Sequence, residues 1–170
     1  MGAGAIGERE LAEAETRAKR TVAALGESLA AAHIAAPPAL ARAAQARENL
    51  TTAVDREFGL LTSTEAGAAM GSRSSAKRNL AAAARKAGRL LGLPRGGYVV
   101  FPGFQFDEHG VRPVIAKLIE LGTRYDRTES GLIWWLMAPT TYLNGRRPVD
   151  VIDDEETLLR VAEAAFGVEW

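Results

Sequence analysis

Seven basic residues lie in a stretch of this sequence that contains no acidic residue. The stretch runs between Glu65 and Asp107, although the chain as a whole has 21 basic and 21 acidic residues. Because the positive charge is concentrated in one segment, the sequence predicts a polyanionic partner. The alternative interpretation is a solvated helix face without a partner. The seven residues are Arg73, Lys77, Arg78, Arg85, Lys86, Arg89 and Arg95.

The residues around these cations predict a helix, a tight turn and a second helix. Thr62 and Glu65 have the spacing of a reciprocal capping box, and Gly71 ends the first helix. The second helix is predicted from about Ser75 to Ala87, with Gly88 as its C-terminal stop. Helix pairs of this kind insert their second helix into the major groove of DNA.

A β-hairpin is predicted directly after the helix pair. Leu90 to Leu93 is expected to pair with Tyr98 to Phe101 across Pro94-Arg95-Gly96-Gly97, where the glycines permit positive backbone angles. A β-hairpin that directly follows a helix-turn-helix is called a wing. The sequence therefore predicts a winged helix-turn-helix over residues 60–110 that binds double-stranded DNA.

The position of each polar residue in this region predicts its contact with DNA. Side chains at the turn and in the first turn of the second helix can reach base edges and phosphates, and among them Arg73 and Arg78 are the candidate guanine readers. Later cations are predicted to contact phosphates, with Arg95 at the tip of the wing. The first group is Arg73, Ser74, Ser75, Lys77 and Arg78, and the second is Arg85, Lys86 and Arg89.

Two helices are predicted to precede this region and to form an N-terminal hairpin over residues 1–59. The first runs from Glu8 to about Ala35, and the second begins at Pro37 or Pro38 and reaches about Glu57. The apolar stripe is narrow, so it can pack inside the subunit or against a second copy in a homodimer. The predicted buried positions of the second helix are Leu40, Ala43, Leu50, Val54 and Phe58.

Residues 111–170 are predicted to form a small helical domain. Its helices are expected at about Val114 to Gly122, Gly131 to Ala138 and Asp154 to Phe166, with a turn at Asn144-Gly145. Trp134 and Trp135 are adjacent, so one of them is predicted to be buried and the other exposed. The exposed one can join Tyr142, Leu143 and Trp170 in a patch that anchors a protein partner, or these residues can be plain core.

Catalysis, metal binding and cofactor binding are not supported by the residue pattern. The chain has no cysteine, and its two histidines, His33 and His109, are far apart in sequence. Gly2, Gly4 and Gly7 match the spacing of a dinucleotide fingerprint, but no strand precedes them. Neither a secretory signal nor a membrane span is recognisable, so a cytoplasmic location is expected.

From Leu61 onward the chain resembles the Xre/MbcA/ParS-like antitoxins of bacterial type II toxin–antitoxin systems. The resemblance rests on four segments, and the last of them is the most specific. The segments are Leu61 to Gly71, Gly96 to Pro102 with Gln105-Phe106-Asp107, Trp135 to Pro139, and Tyr142 to Ile152.

The resemblance implies that the C-terminal region binds and silences a cognate toxin, commonly a RES-domain enzyme that consumes NAD. It also implies that the preceding region binds the promoter of the operon. The segment Asp150 to Trp170 carries seven carboxylates and one arginine, which would suit an electropositive toxin surface. The resemblance assigns toxin binding to Trp135, Tyr142, Leu143, Gly145, Arg146, Arg147, Pro148 and Trp170.

The sequence thus predicts a mainly helical protein with an N-terminal helical hairpin, a central winged helix-turn-helix and a C-terminal toxin-binding domain. Its expected function is to neutralise a toxin and to repress its own operon as a homodimer. The winged element is also similar to the excisionase and MerR groups. The alternatives are therefore a stand-alone transcriptional regulator, an excisionase-like DNA-binding protein, or a protein-interaction module without DNA binding.

Overall fold

A computed structural model describes residues 16–17, 19–24, 38–71 and 77–167 of the chain. The described part is mainly helical and contains small antiparallel sheets. Backbone contacts divide the chain into two compact units, one comprising residues 1–49 with 94–98 and the other residues 50–93 with 99–170. The helices are α1 (residues 16–17 and 19–24), α2 (Pro38–Phe58), α3 (Ser63–Ala69), α4 (Lys77–Lys86), α5 (Pro113–Arg124), α6 (Glu129–Met137) and α7 (Glu155–Phe166).

The described residues also contain five short strands. One sheet has the order β1-β3-β2, and the other consists of the antiparallel pair β4 and β5. Short 3-10 helices occupy the loops after β3 and before α7. The strands are β1 (Leu60–Leu61), β2 (Leu93–Arg95), β3 (Tyr98–Pro102), β4 (Phe106–Asp107) and β5 (Gly110–Val111), and the 3-10 helices are Gly103–Gln105, Thr141–Leu143 and Pro148–Val151.

Helix α2 has the predicted bounds, but its predicted buried face is only partly correct. Val54 is fully buried, and Leu50 and Phe58 are half-buried. Leu40 and Ala43 are exposed, because the first half of this helix lacks cover from other described residues. The predicted first helix from Glu8 to Ala35 lies largely outside the described residues.

The capping box that begins α3 is confirmed. The Thr62 hydroxyl accepts a hydrogen bond from the Glu65 amide, and the Glu65 carboxylate accepts one from the Thr62 amide at 2.7 Å. These two bonds satisfy amides that have no partner inside the helix. Gly71 follows the end of α3 with a φ of 80°, so its lack of a side chain allows the chain to turn there.

Helix α4 packs against α3, and the end of α4 is the predicted one. Gly88 has a φ of 67°, and the Arg89 amide donates to the Ala84 carbonyl, which is the pattern of a helix that stops at a glycine. The predicted start at Ser75 lies outside the described residues. The inner surface of this pair belongs to a core cluster that contains Ala66, Ala81, Ala84, Leu90 and Phe101.

The predicted hairpin exists, but its first strand begins three residues later than expected. The strands β2 and β3 are joined by Gly96 and Gly97, whose φ values of 56° and 90° fit a two-residue hairpin turn. Strand β3 also pairs with β1 in the register Leu61 to Phe101. The segment before β2 is not a strand, because the polar groups of Leu91 are bound by a side chain instead.

That side chain belongs to Gln105, which is completely buried. Its amide oxygen accepts from the Leu91 amide, and its amide nitrogen donates to the Leu91 carbonyl, each at 2.8 Å. One side chain thereby pairs both backbone groups of a buried residue, as a neighbouring strand would. Gln105 fixes the segment that leads from α4 into β2.

The helices α5, α6 and α7 lie close to the predicted positions. Thr128 caps α6 by accepting from the Gly131 amide, and Asp154 caps α7 by accepting from the Thr157 amide. The turn at Asn144 and Gly145 has φ values of 55° and 83°, as the sequence predicts. The core of these helices is apolar and includes Ile115, Leu118, Leu132, Ile133, Leu136, Leu158 and Val161.

Candidate nucleic-acid and protein interfaces

One face of α4 is open to solvent from Asn79 to Lys86. Asn79, Ala82, Ala83 and Lys86 are exposed and recur at spacings of three and four residues, which places them on one face of the helix. Ala81 and Ala84, between them in sequence, are fully buried. Asn79 was not among the predicted contacts, because the sequence favours Ala83 as an inward-facing residue, and Ala83 is exposed on the same face as Asn79.

The predicted contacts at the turn before α4 are mostly beyond what the structure describes. Arg73, Ser74 and Ser75 lie outside the described residues. Lys77 and Arg78 form the described N-terminus of α4. The predicted guanine readers, Arg73 and Arg78, therefore stay predictions.

Arg85, predicted to contact phosphate, bonds within the protein. Its Nε donates to both carboxylate oxygens of Glu129, at 3.1 and 2.9 Å. The same carboxylate accepts from the Gly92 amide at 2.6 Å. Both side chains of the pair are about one-third exposed. The prediction from local charge overlooked this pair, because Glu129 is 44 residues away in sequence and no acidic residue lies nearby along the chain.

Two further predicted cations, Lys86 and Arg89, are exposed at the end of α4 and in the turn after it. They share a unit with the open face of the helix. Arg95 is exposed at the end of β2, beside the hairpin turn, and belongs to the other unit. Lys86 and Arg89 are therefore exposed cations within the unit that contains α4.

Arg147, assigned to toxin binding by the resemblance, lies in an ion-pair network. Its guanidinium donates to both carboxylate oxygens of Glu57, each at 2.7 Å, and to Asp150 at 2.6 Å. The Asp150 carboxylate also accepts from the Arg147 backbone amide at 3.0 Å, which caps the 3-10 helix that follows. The network links the last turn of α2 to the segment before α7.

The network shifts the pKa values of its members. Hydrogen bonds from Arg147 lower the pKa of both Glu57 and Asp150, since these bonds favour the ionised carboxylates. The pKa of Arg147 is raised, first by the hydrogen bond to Glu57 and then by that to Asp150. All three groups are therefore charged at neutral pH. The half-buried guanidinium of Arg147 is already engaged on both of its edges.

The two adjacent tryptophans differ in exposure, as predicted. Trp134 is 48% exposed, whereas Trp135 is half-buried and packs edge-on against Phe166 with ring centroids 5.0 Å apart. The indole nitrogen of Trp135 is buried and has no hydrogen-bond partner among the described residues. Phe166 also contacts Tyr125 and the guanidinium of Arg127. Trp135 is a packing residue, and Trp134 is the one that a partner can reach.

The other residues assigned to toxin binding differ in exposure. Tyr142, Gly145 and Arg146 are exposed, whereas Leu143 and Pro148 are buried, so Leu143 fits the alternative in which it is a core residue. Leu143 is the apolar residue of a 3-10 turn, and its burial anchors that turn. Trp170 lies outside the described residues.

Comparison of the chain with protein-family models, with curated proteins and with solved structures gives no match. Among the described residues, no group of three histidine, aspartate or glutamate side chains could hold a metal ion. None of the helices in the described ranges has both the length and the apolar character that a bilayer-spanning helix needs.

Proposed function

We propose that this protein binds duplex DNA through a winged helix-turn-helix and that its C-terminal region neutralises a partner toxin. The observation that carries the first half is the order of elements in residues 60–102. Strand β1 is followed by α3, α4 and the hairpin β2–β3, and β1 pairs with β3. That order is typical of a winged helix-turn-helix, in which the second helix enters the major groove.

Charge favours DNA as the ligand of this element. No acidic residue lies between Glu65 and Asp107. The carboxylate of Glu129, which contacts α4, is neutralised by Arg85. Phosphates that approach Lys86 and Arg89 would meet no repulsion from that carboxylate, and the cations would add affinity through release of counterions.

The proposal that a toxin binds the C-terminal region rests on the resemblance to Xre/MbcA/ParS-like antitoxins and on exposed aromatic residues. Trp134 and Tyr142 are each about half-exposed, and large aromatic side chains of this kind dominate the energetics of protein interfaces. Arg146 adds a charged neighbour on the same segment as Tyr142. Arg147, Leu143 and Pro148 would hold this segment in shape instead of contacting the toxin.

The first half of α2 supports a homodimer. Leu40 is 62% exposed on this helix, and Val22 is 71% exposed on α1. Exposed apolar residues such as these two would be removed from water if they packed against a second copy of the chain, and that burial would stabilise a dimer. A dimer would present two copies of α4 to operator half-sites about one helical turn apart.

The experiment that tests DNA binding uses fluorescence anisotropy of the full chain with duplexes that cover the DNA upstream of its own gene. We expect one duplex to bind much more tightly than scrambled duplexes of the same length. Equal affinity for all duplexes, or no binding at low salt, would contradict the DNA-binding half of the proposal.

The experiment that tests neutralisation co-expresses the chain with the product of the adjacent gene. Growth arrest by that product should be relieved by the wild-type chain and by Glu120→Ala, an exposed control on α5. Relief should be lost with the double variant Trp134→Ala, Tyr142→Ala. If no neighbouring product is toxic and the chain still binds its operator, the stand-alone regulator is the better account.

A further inference from the structure

The open face of α4 contains one polar side chain that can distinguish bases by paired hydrogen bonds. Asn79 lies in the first turn of the described helix and is exposed. The residues one turn later on the same face, Ala82 and Ala83, are also exposed and are small. The helix can therefore approach a groove floor closely near Asn79. Lys86 continues this face at the other end of the helix.

The amide of asparagine suits one base in the major groove. It carries a donor and an acceptor side by side, and adenine presents N7 as an acceptor and N6 as a donor at matching separation. The methyl groups of alanine can contact the thymine methyl group. Residues near the N-terminus of a recognition helix are those that contact base edges, and Asn79 is in that position.

Charge and packing fix the orientation of this face. Ala81 and Ala84 are buried in the core with Phe101, so α4 cannot rotate about its axis without exposing them. Arg85, on the inner side, is held by Glu129. Lys86 and Arg89 remain exposed and can anchor the helix on phosphates, which would present Asn79 to the bases.

We propose that Asn79 is a specificity-determining residue that reads an adenine in the operator half-site, with Ala82 and Ala83 against neighbouring thymine methyl groups. This inference rests on the proposed DNA binding and names the sequence feature that the site recognises. It predicts an operator whose half-site contains A·T pairs under the N-terminal half of α4.

The test begins with selection of binding sites from a randomised duplex library by the full-length wild-type protein. Each position of the selected half-site is then changed in turn, and affinities are measured for wild type and for Asn79→Ala. Wild type should lose about 5- to 150-fold in affinity when the critical adenine is replaced. Asn79→Ala should show no preference at that position, while its preferences at the other positions remain.

A conservative variant separates base reading from a structural role. Asn79→Gln keeps the paired donor and acceptor, so it should retain the adenine preference. Asn79→Ala should bind scrambled duplex as wild type does and should unfold at the same urea concentration, since the residue is exposed.

The outcomes distinguish this inference from the proposed function. If the wild-type protein enriches no sequence and binds no duplex, DNA binding itself fails and the inference fails with it. If wild type selects a site, and Asn79→Ala keeps the same base preferences at every position, the assignment of Asn79 is overturned while DNA binding stands.

Discussion

Arg147 binds Glu57 through two parallel hydrogen bonds of 2.7 Å, although 90 residues separate them in the sequence. Paired bonds between a guanidinium and a carboxylate are stronger and more directional than a single contact. Asp150 completes the arrangement. The pair joins the end of α2 to the segment that carries Tyr142 and Arg146, so the position of that segment depends on residues that are far apart in the sequence.

The first prediction concerns the stability that this network contributes. Arg147→Ala should lower the free energy of unfolding by about 1–2 kcal/mol, because it leaves two carboxylates without their shared cation in a partly screened site. Urea denaturation measures this loss. Arg146, the exposed neighbour of Arg147, provides the matched control. Arg146→Ala should change the free energy of unfolding by less than about 0.5 kcal/mol. Equal effects of the two substitutions would contradict the role of the network.

The second prediction is the pH dependence of that contribution. Glu57 and Asp150 have pKa values below those of the unfolded chain, so they bind fewer protons in the folded state. Their stabilising effect should be complete at neutral pH and should be lost as the pH falls below about 5. The difference in unfolding free energy between wild type and Arg147→Ala should therefore shrink in acid. A difference that is constant down to acidic pH would show that the carboxylates are not involved.

The third prediction tests Gln105. Gln105→Leu should lower the free energy of unfolding by about 2–4 kcal/mol, since both backbone groups of buried Leu91 would lose their partner. Gln105→Glu offers a sharper comparison, because a protonated carboxyl can replace both hydrogen bonds and an ionised one cannot. That variant should become more stable relative to wild type as the pH is lowered. The same pH response for the two variants would argue against the paired bonds.

The fourth prediction separates two adjacent cations. Arg85→Ala should reduce stability by about 1–3 kcal/mol, because Glu129 would lose its partner, and it should leave the salt dependence of DNA binding nearly unchanged. Lys86→Ala should leave stability unchanged and should reduce the slope of log affinity against log salt by about 1. Denaturation and anisotropy titrations on the two variants measure both quantities. If Arg85→Ala reduced the salt slope and Lys86→Ala reduced stability, the result would show that Arg85, and not Lys86, contacts phosphate.

Local sequence signals predicted much of the fold. The capping box at Thr62 and the stop at Gly88 depend on residues a few positions apart, so the sequence displays them directly. The bounds of α2 and of the helices in residues 111–167 follow from similar signals. Spacing of apolar residues was a weaker guide to burial, since Leu40 lies on the predicted stripe and is still exposed.

Contacts between distant segments could not be predicted in this way. The partner of Arg85 and the partner of Arg147 lie 44 and 90 residues away, and local charge gives no sign of either. Gln105 pairs both backbone groups of Leu91, 14 residues away, and no nearby residue indicates that contact. Asn79 could not be predicted either, because the sequence does not show which alanines of α4 are buried; the structure buries Ala81 and Ala84 and exposes Ala83.

The central claim is that the exposed cations at the end of α4 bind duplex DNA. The most direct measurement compares the salt dependence of DNA binding for wild type and two double variants. The first variant is Lys86→Glu with Arg89→Glu. The second is the control, Arg146→Glu with Arg160→Glu, which changes the net charge equally at exposed sites elsewhere. We expect wild type and the second variant to share a steep slope of log affinity against log salt, and the first variant to lose most of its affinity. Equal losses in both variants, or undiminished binding by the first, would contradict the claim.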